Sequence, residues 1–272
     1  MIGLLVELPQ PGYPADYLLA RLPARRARWE RGAEMVPLAA EFRWLYGQLH
    51  QQLRRELAPL FVYFELRPLF LFLRGLASNT GKAGRELLAT TLLADGLKRA
   101  LSRERELTAA VRLIGCRCPP GADLVHLYAN GGLAAVEQGM TRQVLAAGRQ
   151  APAGLHDFWA AVIDLENTMA LAKRRRWQAK RPFGYCAGGF ILPRRFSQVE
   201  QGRMAVPLSL SGMVGRAVHD GDWPLEESLV ARVRQQLRRS ARPPASAVAA
   251  YMWGAYASSR RWAMAQPREA RA

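Results

Sequence analysis

Residues 38–57 read Leu-Ala-Ala-Glu-Phe-Arg-Trp-Leu-Tyr-Gly-Gln-Leu-His-Gln-Gln-Leu-Arg-Arg-Glu-Leu. Leu38, Phe42, Leu45, Leu49, Leu53 and Leu57 recur at steps of three and four, which lines them along one face of an α-helix. Pro37 stands where a helix tolerates proline best, and Pro59 follows the stretch with a ring that fixes φ and removes a donor. The spacing predicts one helix over 38–57. Such a stripe needs an apolar partner, and the rest of the chain supplies matching faces.

Residues 85–101 repeat the pattern with Leu87, Leu88, Leu92, Leu93, Leu97 and Leu101, and the segment continues with a polar face to about Ile114. Gly115 through Gly121, with Pro119 and Pro120, ends it. Residues 122–147 read as two short helices separated by Asn130, Gly131 and Gly132, and 155–180 as one long helix through Phe158, Val162, Leu165, Met169 and Ala172. After a Gly-, Pro- and aromatic-rich loop from Arg181 to Pro193, Asp222 and Pro224 supply a cap and a first-turn residue for a helix ending near Arg239. Pro243 and Pro244 precede a last helix over 245–265, with Val248, Tyr251, Met252, Ala255 and Tyr256 on one face. Strand signals are confined to Leu4–Leu8. The expectation is an all-α fold with a short extended N-terminal segment. It is a single helical domain, 1–266, with modules near 16–114, 122–200 and 222–266, and 267–272 as a frayed tail.

The chain has 272 residues, half of them hydrophobic, enough to bury a sizeable core. Its net charge of +17 favours an acidic partner, whether nucleic acid, an anionic membrane or an acidic protein. The excess is larger toward the C-terminus, with 20 basic and 13 acidic residues in 1–150 against 19 and 9 in 151–272. Cys116, Cys118 and Cys186 are an odd number without framework spacing, which argues against a disulfide scaffold and for a reducing cytoplasm. Met1–Pro9 lacks the basic leader of a signal peptide. Leu60–Leu73 is interrupted by Glu65, Arg67 and Pro68 and is shorter than the roughly 20 apolar residues of a membrane span. Any membrane association is expected to be peripheral.

No cofactor, metal or catalytic group is expected. Gly75-Leu-Ala-Ser-Asn-Thr-Gly81-Lys82 imitates a phosphate-cradling loop but has five residues between its glycines and Ala83 where a hydroxyl should hold magnesium, so a helix-linking turn is predicted. Cys116 and Cys118 have one residue between them rather than two, without a second pair. His50, His126, His156 and His219 are scattered, and Ser209 and Ser211 lack a nucleophile elbow. Asp157 and Asp164, seven apart, read as a helix-end charge and an interior hydrogen-bonding group. Lys173, Arg174, Arg175, Arg176, Lys180 and Arg181, with Trp177 among them, could grip phosphates. Cations in the last turns of a helix are also what its dipole favours.

Residues 64–75 and 164–175 share a pattern a hundred positions apart. Phe64-Glu65-Leu66-Arg67 with Arg74 corresponds to Asp164-Leu165-Glu166-Asn167 with Arg174, which suggests a repeated helical unit. The second copy continues into Gly188-Gly189-Phe190-Ile191-Leu192, and the last helix carries Ala250-Tyr251 and then Arg260-Arg261. This ordered set, with 16–28 as an opening helix, resembles the C subunit of V/A-type rotary ATPases, subunit d of the eukaryotic enzyme. The chain would be a short, diverged bacterial member, in which Phe64 and Arg67 replace the acidic and amide positions in the first copy.

The resemblance implies a funnel of helical modules, peripheral on the inner face of the membrane. Such a subunit joins the central stalk to the proteolipid ring and serves proton or other ion transport without catalysing a reaction. Its partners would be those subunits and anionic lipid headgroups. Asp164, Asn167, Arg174, Gly188, Gly189, Tyr251 and Arg260 would be the structural motif, with Asp164 and Asn167 bonding neighbouring loop backbone. Arg174, Arg175, Arg176, Lys180 and Arg181 would be the partner-facing cations. The alternative is a helical nucleic-acid-binding protein using 173–181.

Overall fold

The 38–57 stripe forms two helices rather than one, α2 (Leu38–Gln48) and α3 (Gln51–Ala77), in the computed structural model. The structure describes residues 2–9, 12–30, 37–80, 82–118, 123–177, 184–204, 222–239 and 244–265. The break is made by groups that periodicity does not register. Tyr13 pairs with Leu49 and donates its N–H to the Gln48 carbonyl at 2.9 Å, pulling Leu49 into extended backbone. The buried Arg54 guanidinium donates to the carbonyls of Tyr46 (3.1 Å) and Gly47 (3.3 Å), satisfying acceptors that the end of α2 leaves open. His50 then starts α3 by accepting the Gln52 N–H on Nδ1.

Pro59 does not end α3, which runs through both Pro59 and Pro68 to Ala77. An interior proline costs about 3 kcal/mol. Here Leu57, Ala58, Leu60, Phe61 and Val62 around the first ring are all buried, and each large apolar side chain so covered contributes about 2 kcal/mol. Tertiary burial outweighs the lost backbone bond.

All described elements are helical apart from two isolated backbone bridges, and eleven α-helices are present among the described residues. The chain divides into two compact units, Met1–Ala151 and Pro152–Ala272. The sequence placed its module breaks after 114 and 200; this division falls at Ala151.

In the first unit, α1 (Ala15–Glu30) and α2 precede the long α3, followed by α4 (Lys82–Ala89), α5 (Asp95–Arg103), α6 (Leu107–Gly115) and α7 (Leu124–Arg149). The single segment predicted over 85–114 is therefore three short helices. The predicted pair over 122–147 is present: α7 consists of two helical stretches that meet at a kink where Gly132 has a non-helical φ of 66°. α4 and α7 pack along α3, and Phe42 and Tyr46 of α2 meet the Phe61 ring at 6.4 and 5.0 Å. The N-terminal segment crosses to the loop before α5: Leu5 pairs with Leu93, Val6 N–H reaches the Leu92 carbonyl, and Ala94 N–H reaches that of Leu4.

The second unit centres on α8 (His156–Trp177), joined by α9 (Pro193–Glu200), α10 (Asp222–Arg239) and α11 (Pro244–Ala265). Phe158 lies edge-on to Trp159 and Trp253, and the Trp253 indole donates to the Val230 carbonyl at 3.0 Å, joining α11 to α10. The sequence reading missed α9, whose eight residues bury only Phe196 and Val199. Such a short segment carries little periodic signal.

Candidate functional site

Asp164 and Asn167 lie three residues apart on α8, so both side chains meet the same stretch of loop. Asn167 is 2 % exposed and holds Cys186 from both sides: its Nδ2 donates to the Cys186 carbonyl at 2.9 Å, and the Cys186 N–H donates to its Oδ1 at 2.8 Å. Asp164 Oδ1 accepts the Ile191 N–H at 3.1 Å. Between these two ties the chain turns through Gly188, at φ +99°, a conformation L side chains rarely adopt. Gly189 then comes so close that a Cβ there would sit 2.2 Å from Asp164 Oδ1 and 3.1 Å from its Cγ. The two glycines thus do separate work, one turning the loop and one letting it approach the carboxylate.

Gly189→Ala is therefore expected to push the loop off α8 and lower stability by about 1–2 kcal/mol. Urea unfolding would measure it, and an alanine variant as stable as the wild type would contradict the close approach.

Below the clasp, Ile191 and Tyr185 pack against Leu171, Phe196 and Val199, with Tyr185 stacked on Phe196 at 5.1 Å. Glu200 joins the cluster to α8: it forms an ion pair with Arg174 and accepts from the Tyr185 hydroxyl at 3.1 Å. Arg175 donates to the Val199 carbonyl at 3.2 Å, and Arg176 is half-buried. Lys180 and Arg181 lie outside the described residues, as do Gly81, Ser209, Ser211, His219 and the predicted tail 267–272. Tyr251 is buried in α11, while Arg260 donates to Glu226 of α10 at 2.6 Å. The Tyr256 hydroxyl donates to the other Glu226 oxygen at 2.6 Å.

The first unit contains a counterpart of the clasp. Glu65 of α3 accepts the buried Leu92 N–H at 3.0 Å, and Asp164 of α8 accepts that of Ile191; in each case the amide follows the acid by 27 residues. The two ties are 99 positions apart (65 to 164, 92 to 191), one fewer than the offset of the sequence comparison. Glu65, rather than Phe64, is the side chain that holds this loop. Arg43 donates to the Thr90 carbonyl and Lys98 to that of Thr91, fixing the same loop. Arg74, paired in the sequence comparison with Arg174, instead makes a two-pronged ion pair with Glu137 of α7 at 2.7 and 2.6 Å.

Burial pushes the Glu65 carboxyl up to about 7, with the Leu92 amide, Lys98 and Arg43 pulling it back. Burial likewise raises Asp164 to about 6 against the pull of the Ile191 amide and Arg232. Titration near neutrality often marks an acid–base catalyst. Both groups, however, are at most 7 % exposed and accept hydrogen bonds from loop amides 27 residues further along the chain, which suits joining a loop to a helix.

The remaining sequence candidates sit apart from the clasp. Ser78 and Asn79 form the turn after α3, whose Thr80 N–H returns to the Gly75 carbonyl, and Lys82 begins α4. Cys118 is pushed up to about 11 by burial, which disfavours the thiolate a metal would need. Among the described residues no group of three His, Cys, Asp or Glu is gathered to hold a metal ion, and no helix is long and apolar enough to cross a membrane. Compared with known proteins, the chain matches no family model, no curated relative and no solved structure.

Proposed function

We propose that the chain is the non-catalytic C-type coupling subunit of a V/A-type rotary ATPase. It would join the central stalk to the membrane proteolipid ring while bound peripherally to the inner face. The observation that carries this reading is the clasp. The Asp-x-x-Asn helix and Gly-Gly loop that underlie the family resemblance are bonded to each other, and an acid-to-amide tie with the same 27-residue spacing recurs in the first unit. Torque transmission calls for loops held fixed on long helices, and buried side-chain bonds to backbone provide that stiffness.

Nucleic-acid binding through 173–181 is not favoured by the geometry, since Arg174 and Arg175 are engaged with Glu200 and the Val199 carbonyl. The test is recovery of a tagged chain from its own host in mild detergent. Proteolipid and stalk subunits are expected to accompany it, and their absence would overturn the proposal.

A further inference from the structure

The loop that the clasp immobilises ends in Phe190-Ile191-Leu192-Pro193-Arg194-Arg195. Ile191 points inward onto Leu171, Phe196 and Val199, while Phe190 and Leu192 on either side are 53 % and 48 % exposed. Leu192, the residue before α9, has extended backbone, while the chain bends at Phe190 and Ile191. Two large apolar side chains, two residues apart, are thus exposed on one loop. The Asp164, Asn167 and Gly189 contacts prevent the loop from folding them away.

The arginines add an independent observation. Arg194 and Arg195 are exposed in the first turn of α9, where no acidic residue is present. The positive end of the helix dipole disfavours cations there, so capping does not explain the pair. Nor is there an acidic side chain anywhere from Gly184 to Arg195. An apolar tip thus stands beside a positive field made by two guanidinium groups and a helix N-terminus.

We propose that Phe190, Leu192, Arg194 and Arg195 form a contact for an anionic lipid bilayer surface. The phenyl and isobutyl groups would enter the boundary between headgroups and acyl chains, and the guanidinium groups would meet phosphates. Interfacial binding combines these two signals, a shallow apolar insertion and attraction to anionic lipid. A specific protein partner would require a total buried area of about 1,200–2,000 Å² of matched surface. Four side chains fall well short of that, whereas a fluid surface needs no shape complementarity. The assignment does not depend on the rotary-coupler reading: vesicle binding through this loop without recovery of ATPase subunits would keep the one and remove the other.

The test is sedimentation of the purified full chain with vesicles of phosphatidylcholine, and of phosphatidylcholine containing phosphatidylglycerol. Binding is expected to require phosphatidylglycerol and to weaken as salt is raised. Arg194→Ala with Arg195→Ala is expected to lower it about 30-fold, and Phe190→Ser with Leu192→Ser at least about tenfold. Leu87→Ser, at an exposed leucine of the first unit, is the control expected to bind as wild type. Unchanged thermal melting would show that each variant folds. Equal binding to neutral vesicles, a fall with the Leu87 variant as large as with the loop variants, or loop variants that sediment like the wild type would each overturn the proposal. Binding to poly-glutamate but not to vesicles would reassign the patch to an acidic polypeptide and overturn it as well.

Discussion

Asn167→Leu is expected to destabilise the protein by about 3–4 kcal/mol, because one substitution removes both hydrogen bonds to Cys186 and leaves a backbone donor and acceptor without their buried partner. Leucine matches the size of asparagine well enough that the loss is chiefly polar. Asn167→Asp separates the two bonds: its carboxylate still accepts the Cys186 N–H but opposes the Cys186 carbonyl with a second oxygen. It should fall between leucine and wild type at acidic pH, and approach leucine once ionised. Hydrogen exchange locates the damage. In the leucine variant the Cys186 amide should lose protection, while Ile191, tied separately to Asp164, should retain more of its own. A leucine variant within about 0.5 kcal/mol of wild type would mean that the clasp does not hold the loop.

The sequence made one half of this arrangement legible and concealed the other. Asp164 and Asn167 are singled out by the family resemblance, and their spacing of three puts both on one helix face within reach of loop backbone. Glu65 is not, because matching Phe64-Glu65-Leu66-Arg67 to Asp164-Leu165-Glu166-Asn167 by its ends pairs Phe64 with Asp164. The bonds to Leu92 and Ile191 relate Glu65 to Asp164 instead. Arg54 was hidden for a related reason: a guanidinium that completes the end of α2 from within α3 looks, in a periodic pattern, like any polar residue between leucines. Glu226 likewise meets Tyr256 and Arg260 across 30 and 34 positions, beyond any local pattern. Periodicity finds the faces that bury apolar area; it does not find the polar groups that decide where helices stop and which loops they hold.

The buried carboxyls give the protein an unusual response to pH, because they are held for their oxygens rather than their charge. Glu65 titrates near 4.5 when unfolded and about 7 when folded. Between those values the unfolded chain has released a proton that the folded protein retains, so stability falls as pH rises. The contribution of Glu65 is fully present below about pH 4.5 and lost on passing pH 7, amounting to about 3 kcal/mol. Asp164, between 3.8 and about 6, acts in the same direction, with about 2 kcal/mol left after allowing for exposed Arg232 beside it. Glutamine at 65 keeps an acceptor for the Leu92 amide while removing the ionisation, and asparagine at 164 does the same for Ile191. Each neutral variant should therefore match the wild type near pH 3 and exceed it at pH 8, by about 3 kcal/mol for Glu65→Gln and 2 kcal/mol for Asp164→Asn. Urea unfolding of each variant beside the wild type cancels the many surface carboxylates that titrate in both. If either variant were less stable than the wild type at pH 8, its carboxylate would be serving as a charge, paired with Lys98 and Arg43 or with Arg232, and the clasps would be electrostatic ties rather than backbone acceptors.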